Sequence, residues 1–261
     1  MTAPIPRDIP DLPAIPGMST LLPSHVPATA VTSPAHRPLA AVYRLLIAAT
    51  AALGVTIDLI IGTPVRVLSH FAIQSNILLA VVLTLSARRA WLARRPLPAT
   101  LTGATLLYVT IAALVHHLLL TDTATPFSLT SAPDVHTRWQ ALASHILHTV
   151  TPAAALLDWL LLTTPGRLHL RQTSAWLLYP VAYLVFSLGR GELITPGTPG
   201  RYLYPFLDVD HHGYKSTLAN ALLLGLSFYA LAVLLVILDH VRPNPRRHPG
   251  KTGFRLRPPV G

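Results

Sequence analysis

Two polar residues of this chain have the types needed for hydroxyl chemistry. Ser75, in the run HFAIQSN at 70–76, carries a hydroxyl, and His148, in HILHTVTPAAALLDW at 145–159, carries an imidazole. A hydroxyl is a weak nucleophile until a base takes its proton, and histidine is the usual base. Asp58, His145 and Asn76 are candidates to orient the ring, and the amides of Asn76 or Gln74 are candidate donors to an oxyanion. Many serine–histidine pairs would meet this test, so the argument turns on the elements that position these two.

Six apolar stretches, at 38–62, 67–87, 99–120, 141–164, 173–189 and 217–240, lie close to the ~20 residues that cross ~30 Å of hydrocarbon. Only 11% of the 261 residues are charged, against about 25% in a soluble domain. The sequence therefore predicts an all-α, polytopic membrane protein, a bundle of six transmembrane helices over 38–240. A proline-rich tail over 1–37 lacks the apolar core of a signal peptide and is expected to be disordered. A basic tail follows over 241–261.

On the six-span reading, 15 of the 20 Lys and Arg residues fall on one side, in the tails, in the loops at 88–98 and 165–172, and at Arg44 near the start of the first span. The positive-inside rule makes that side cytoplasmic, with both termini there and the plasma membrane as the location. The formal charge of +10 is thus a topology signal, and it accompanies no nucleic-acid-binding motif. Cysteine is absent, which excludes disulfides and thiolate chemistry. The paired histidines at 116–117 and 211–212 lack a metal-ligand spacing, so no metal and no cofactor are expected.

Counted from the outer ends of their spans, Ser75 and His148 are each about eight residues deep, roughly 12 Å at 1.5 Å per residue. The spacing predicts a stripe of His145, His148, Thr149 and Pro152 on the fourth span and one of Ala72, Ser75, Asn76 and Leu79 on the second. The polar groups gather in one outer layer. Bland alternatives stand beside this: Ser75 bonded to its own helix, and His117, His145 and Asp158 as groups reaching an interface. The loop RYLYPFLDVDHHGY at 201–214 reads either as an aromatic belt or as a lid carrying Tyr204, tied down by Asp208 or Arg190.

Three stretches, FAIQSNILLAVVL at 71–83, HILHTVTPAAALLDW at 145–159 and YPFLD at 204–208, resemble the androgen-induced-protein-like family of integral membrane hydrolases, in its bacterial six-helix branch. The resemblance implies hydrolysis of fatty-acid esters by an intramembrane threonine and a histidine. The histidine falls on His148, followed by Thr149. The threonine falls on Ala72, which cannot attack a carbonyl, while Ser75 lies one turn away on the same face. Three readings stay open: Ser75 as nucleophile, Thr149 as nucleophile, or the fold retained without the chemistry. The expected site is thus His148 and Ser75 as catalytic pair, with Asn76, Gln74, Thr149, His145, Tyr204 and Asp208 around the substrate. The expected partner is a membrane lipid or fatty-acid ester. The alternatives are a non-catalytic protein that binds lipid or a partner, and a small-solute transporter.

Overall fold

The computed structural model describes residues 36–120, 136–196, 198 and 200–243, which contain helices and no strand. The tails expected at 1–37 and 241–261 fall almost wholly outside these residues. The helices are α1 (Pro38–Ile61), the short α2 (Pro64–Leu68), α3 (Phe71–Trp91), α4 (Ala99–Val115), α5 (His136–His145), α6 (Leu170–Leu193) and α7 (Val209–Val241). Helix α4 runs on through a π-helical turn at His116–Leu120. Helix α5 runs on through π turns at Ile146–Val150 and Asp158–Leu162, separated by the α-helical Thr151–Leu157.

Proline sets several starts. It occupies the first helical position of α1 and α2, where its missing N–H is no loss and its fixed φ suits the helix. Pro64 also divides the predicted second span. Residues 64–68 form their own short helix, and α3 begins only at Phe71. Ser75 is therefore the fifth residue of its helix, about 6 Å from the end at 1.5 Å per residue, rather than eight residues deep. The other predicted spans overlap α1, α4, α5, α6 and α7.

Five helical segments are long and apolar enough to cross a membrane: Pro38–Ile61, Phe71–Trp91, Ala99–Leu120, Arg138–Leu162 and Val209–Val241. The sixth long helix, α6, has 24 residues, but Gln172, Thr173, Ser174, Pro180, two tyrosines and Ser187 dilute its apolar character.

Helix α1 packs along α3 and against α5, and α4 packs on α3 and α5. Helices α6 and α7 pack chiefly on each other, and of the four-helix group they lie nearest α4. Close approach needs small residues. A Cβ on Gly54 of α1 would lie 2.8 Å from Leu147 Cδ2, and one on Gly103 of α4 would lie 2.6 Å from Trp176 Cζ2. Trp176 cannot yield, because it is 1% exposed and its indole N–H donates to Thr100 O at 2.9 Å.

Pro180 interrupts the hydrogen-bond ladder of α6. The carbonyl one turn before it, on Trp176, loses its helical donor, and the Tyr108 hydroxyl of α4 supplies one at 2.9 Å.

Toward the other end, Arg44 and Asp158 form a buried ion pair at 2.9 Å, and Arg44 Nη1 donates to Ser86 at 3.0 Å. Asp158 thus does not reach an interface as expected. A carboxylate 5% exposed is costly without a partner, and α1 brings Arg44 to it. Arg242 at the end of α7 collects the carbonyls of Trp159, Leu160 and Thr164 where α5 terminates. Asp239 accepts from the Arg167 and Leu168 N–H groups at 2.7 and 2.9 Å.

Gly103→Ala is expected to destabilise the purified protein by about 1–3 kcal/mol through overpacking. Gly225→Ala, with open space around its Cβ, is expected to be neutral. Thermal unfolding of both variants in the same detergent checks the contrast.

Candidate functional site

The polar layer is organised by the first π turn of α5. There the Thr151 N–H bonds to Ile146 O, five residues back. The next residue, Pro152, has no N–H, so the Leu147 carbonyl is left without a helical donor. Asn76 of α3 fills the vacancy, with Nδ2 donating to Leu147 O at 3.2 Å and to Ala72 O at 2.9 Å. Asn76 Oδ1 accepts from the Thr151 hydroxyl at 2.7 Å. Both residues are fully buried, and the amide is satisfied on every side, which is what a buried polar network requires.

The expected matching of levels between α3 and α5 therefore holds at Asn76, Leu147 and Thr151. It does not join Ser75 to His148. The Ser75 hydroxyl donates to Phe71 O at 2.7 Å, with Ala72 O at 3.2 Å. His148 Nδ1 lies 3.0 Å from Ser144 O. A carbonyl only accepts, so Nδ1 carries the proton and Nε2 of the neutral ring holds a lone pair. Ser144 O, rather than Asp58, His145 or Asn76, orients the ring.

His148 lines a cavity of about 510 Å³ between the four-helix group and the α6–α7 pair. Its wall includes Phe71 and Ala72 of α3, Ile111 and Val115 of α4, Tyr183 of α6 and Phe228 of α7. Apart from His148 and three tyrosines, the wall is wholly apolar. Val181 of α6 and Leu218, Leu222 and Leu226 of α7 form an exposed rim. Ala72 faces the cavity together with His148, while Ser75 does not reach it.

The other expected site residues are divided. Tyr204 is buried and lines the cavity with Phe206 and Leu207. Gln74 lies outside it, accepting from the Tyr179 hydroxyl at 2.7 Å and donating to Leu68 O at 2.9 Å. The Thr149 hydroxyl pairs with His117 Nε2 at 3.0 Å. His145 is exposed and does not line the cavity. The π turn between it and Thr149 departs from the 3.6-residue period on which the predicted stripe depended. Asp208 caps α7, accepting from the Asp210 and His211 N–H groups at 3.0 and 3.4 Å.

His116 is a site residue that the sequence did not single out. Its ring stacks on that of His148, with centroids 4.1 Å apart. Adjacent histidines on a regular helix point apart, and the π turn at His116–Leu120, which changes that facing, has no signal in the sequence. Phe71 also gathers Tyr108, Tyr179 and Tyr183 around it, with centroids 5.2–6.4 Å away. The Tyr183 hydroxyl donates to Ser69 O at 2.9 Å, where α3 begins.

The 201–214 segment is tied down beside the cavity. Arg190 Nη1 donates to Arg201 O at 3.0 Å, and Arg201 Nε donates to Gly191 O at 2.7 Å. Arg201 also pairs with Asp210. Burial, followed by its hydrogen bond to Glu192, pushes the Tyr202 phenol up to about 12, so it stays protonated at neutral pH. Among the described residues no three His, Asp or Glu side chains are placed to hold a metal.

No protein-family model, no curated protein and no solved structure matches this chain.

Ser75→Ala is expected to change stability by less than about 1 kcal/mol, since only a bond to its own helix is lost. Asn76→Ala removes the bonds from α3 to the Leu147 carbonyl and the Thr151 hydroxyl and leaves those two only each other, 3.3 Å apart; it is expected to cost about 1–3 kcal/mol. Equilibrium unfolding of the two variants side by side tests this ordering. Equal losses would refute the clamp assigned to Asn76.

Proposed function

We propose that this chain is a multi-pass membrane protein that takes a membrane lipid or fatty-acid ester sideways from the bilayer and holds its acyl chain beside His148. The observation that carries this reading is the cavity of about 510 Å³, apolar but for one imidazole and three phenols. Its size falls within the ~300–1,000 Å³ usual for small-ligand sites. The rim is made of exposed leucine and valine rather than polar residues. Only 17% of the apolar window of α7 is buried within the protein, so that helix needs hydrocarbon around it. Counting α6 as a span gives six, and an even number agrees with both tails, the proline-rich and the basic one, on the cytoplasmic side of the plasma membrane.

In this reading the imidazole is the polar anchor. With Nδ1–H given to Ser144, Nε2 is an acceptor for a carboxylic acid or hydroxyl at the head of the ligand. Binding rather than turnover is the leading function, because Ala72 occupies the cavity wall where the resemblance to the androgen-induced-protein-like hydrolases places a nucleophile. The Ser75 hydroxyl is directed to its own helix.

Ester hydrolysis is the second reading, favoured by the same tautomer, since a neutral Nε2 is the form a general base requires. Water in the cavity would then supply the attacking oxygen.

The test uses a photoactivatable fatty acid added to membranes containing the protein. Labelling is expected on the cavity-lining residues of α6 and α7, and Ala221→Trp, which fills the cavity, is expected to abolish it. His148→Ala should weaken binding of a hydroxy fatty acid about tenfold, the equivalent of one lost hydrogen bond. Undiminished labelling of the Ala221→Trp variant would overturn the binding site. Turnover of a fatty-acid ester panel that disappears in His148→Ala would promote the hydrolase reading over simple binding.

A further inference from the structure

A second cavity, of about 120 Å³, lies at the opposite end of the bundle from the 201–214 segment. Its wall is of a different kind, carrying Arg37, Arg44, Arg167 and Arg242 against Asp158 and Asp239. Both acids are already engaged. Asp158 Oδ1 takes Arg44 Nε at 2.9 Å. Asp239 Oδ2 takes the N–H groups of Arg167 and Leu168, and its Oδ1 takes Arg242 Nη2 at 2.7 Å. Even with Arg37 left aside, Arg44, Arg167 and Arg242 against two committed anions leave the wall with excess positive charge.

The unmatched hydrogen-bonding groups have the same polarity. Arg44 uses Nε on Asp158 and Nη1 on Ser86, and no hydrogen bond engages its Nη2, although the residue is only 8% exposed. Trp159, also 8% exposed, lines the cavity, and its buried indole N–H has no acceptor. A buried donor left without an acceptor costs about 1–3 kcal/mol, and the Trp159 indole, in one wall with the unbonded Arg44 Nη2, calls for a ligand that accepts. Arg167 adds a half-buried guanidinium whose one bond is Nη2 to Leu97 O at 3.2 Å.

We propose that this cavity is a binding site for a phosphate-type oxyanion, held by Arg44 Nη2, Arg167 and the Trp159 indole. Basic pockets between helices near a cytoplasmic face suit anionic headgroups, and a guanidinium fork matches phosphate geometry. The phosphate comes either from a lipid headgroup or from solution. The site is built from residues that do not touch the cavity of His148, so it stands whether or not that cavity holds an acyl chain.

The experiment uses the full chain purified in phosphate-free detergent. Thermal unfolding and native mass spectrometry are followed with dioctanoyl phosphatidic acid, with dioctanoylglycerol, with inorganic phosphate, and with potassium chloride at matched ionic strength. Phosphatidic acid is expected to bind and raise the unfolding temperature, and dioctanoylglycerol and chloride are not. Stabilisation by inorganic phosphate as well identifies a site that accepts the free ion, and stabilisation by phosphatidic acid alone identifies a headgroup site.

Arg44→Lys keeps the charge opposite Asp158 but removes Nη2, and Arg167→Gln removes a half-buried charge. Each is expected to weaken phosphatidic acid binding about tenfold, the loss of one charge-assisted bond. The exposed Arg171→Gln is expected to leave binding unchanged. Equal binding by wild type, Arg44→Lys and Arg167→Gln would overturn the proposal. So would stabilisation by chloride equal to that by phosphate, or no response to either phosphate compound.

Discussion

A carbonyl oxygen without a donor, in surroundings that offer no water, is the constraint on which this structure turns. The need is acute wherever a helix is buried or surrounded by hydrocarbon. Pro152 and the π turn before it free the carbonyl of Leu147, and Asn76 reaches across from α3 to fill it. Pro180 frees that of Trp176, and Tyr108 reaches across from α4. At the end of α5, Arg242 gathers three more. Each repair comes from a different helix, so backbone defects within single helices become the contacts that hold helices together. The inward pull is thus chemical as well as steric, and it fixes rotation and level at once.

The same repairs explain why the cavity lies where it does. Asn76 and Thr151 hold α3 and α5 together through fully buried groups, which leaves no freedom at that seam. The α6–α7 pair meets the rest through fewer contacts, with its polar ones at the two ends, where Tyr179 and Tyr183 bond near the start of α3 and Arg242 bonds at the end of α5. Space therefore opens on that side, and His148 stands at its inner wall, fixed by Ser144 O on one edge and by the face of His116.

The sequence carries the helices well and the site only in part. Apolar stretches near twenty residues long mark α1, α3, α4, α5 and α7 because crossing length is a direct sum of rise per residue. The depth of Ser75 was less legible, because Pro64 splits residues 64–68 from α3. Which polar groups of α3 and α5 meet was not legible. The stripe predicted for His145 and His148 assumed 3.6 residues per turn, and π turns at 116–120 and 146–150 depart from that period without any mark in composition. Ser75 and Asn76 differ by one position, which on a helix is a rotation of about 100°. That rotation separates a hydroxyl bonded to its own helix from an amide that clamps the next one. The pairing of Arg44 with Asp158 spans 114 positions, and no local pattern reports it.

The exposed leucines along the cavity rim have a consequence for selectivity. On the proposed reading, a molecule that passes this rim to reach His148 must first dissolve in oil. Partition between water and hydrocarbon therefore sorts candidates before any side chain does, at roughly 0.8 kcal/mol per methylene. Two compounds with the same head and tails differing by four carbons would present themselves at concentrations more than a hundredfold apart. On the proposed reading a single imidazole is then enough to choose among heads, because the surrounding hydrocarbon has already sorted the tails.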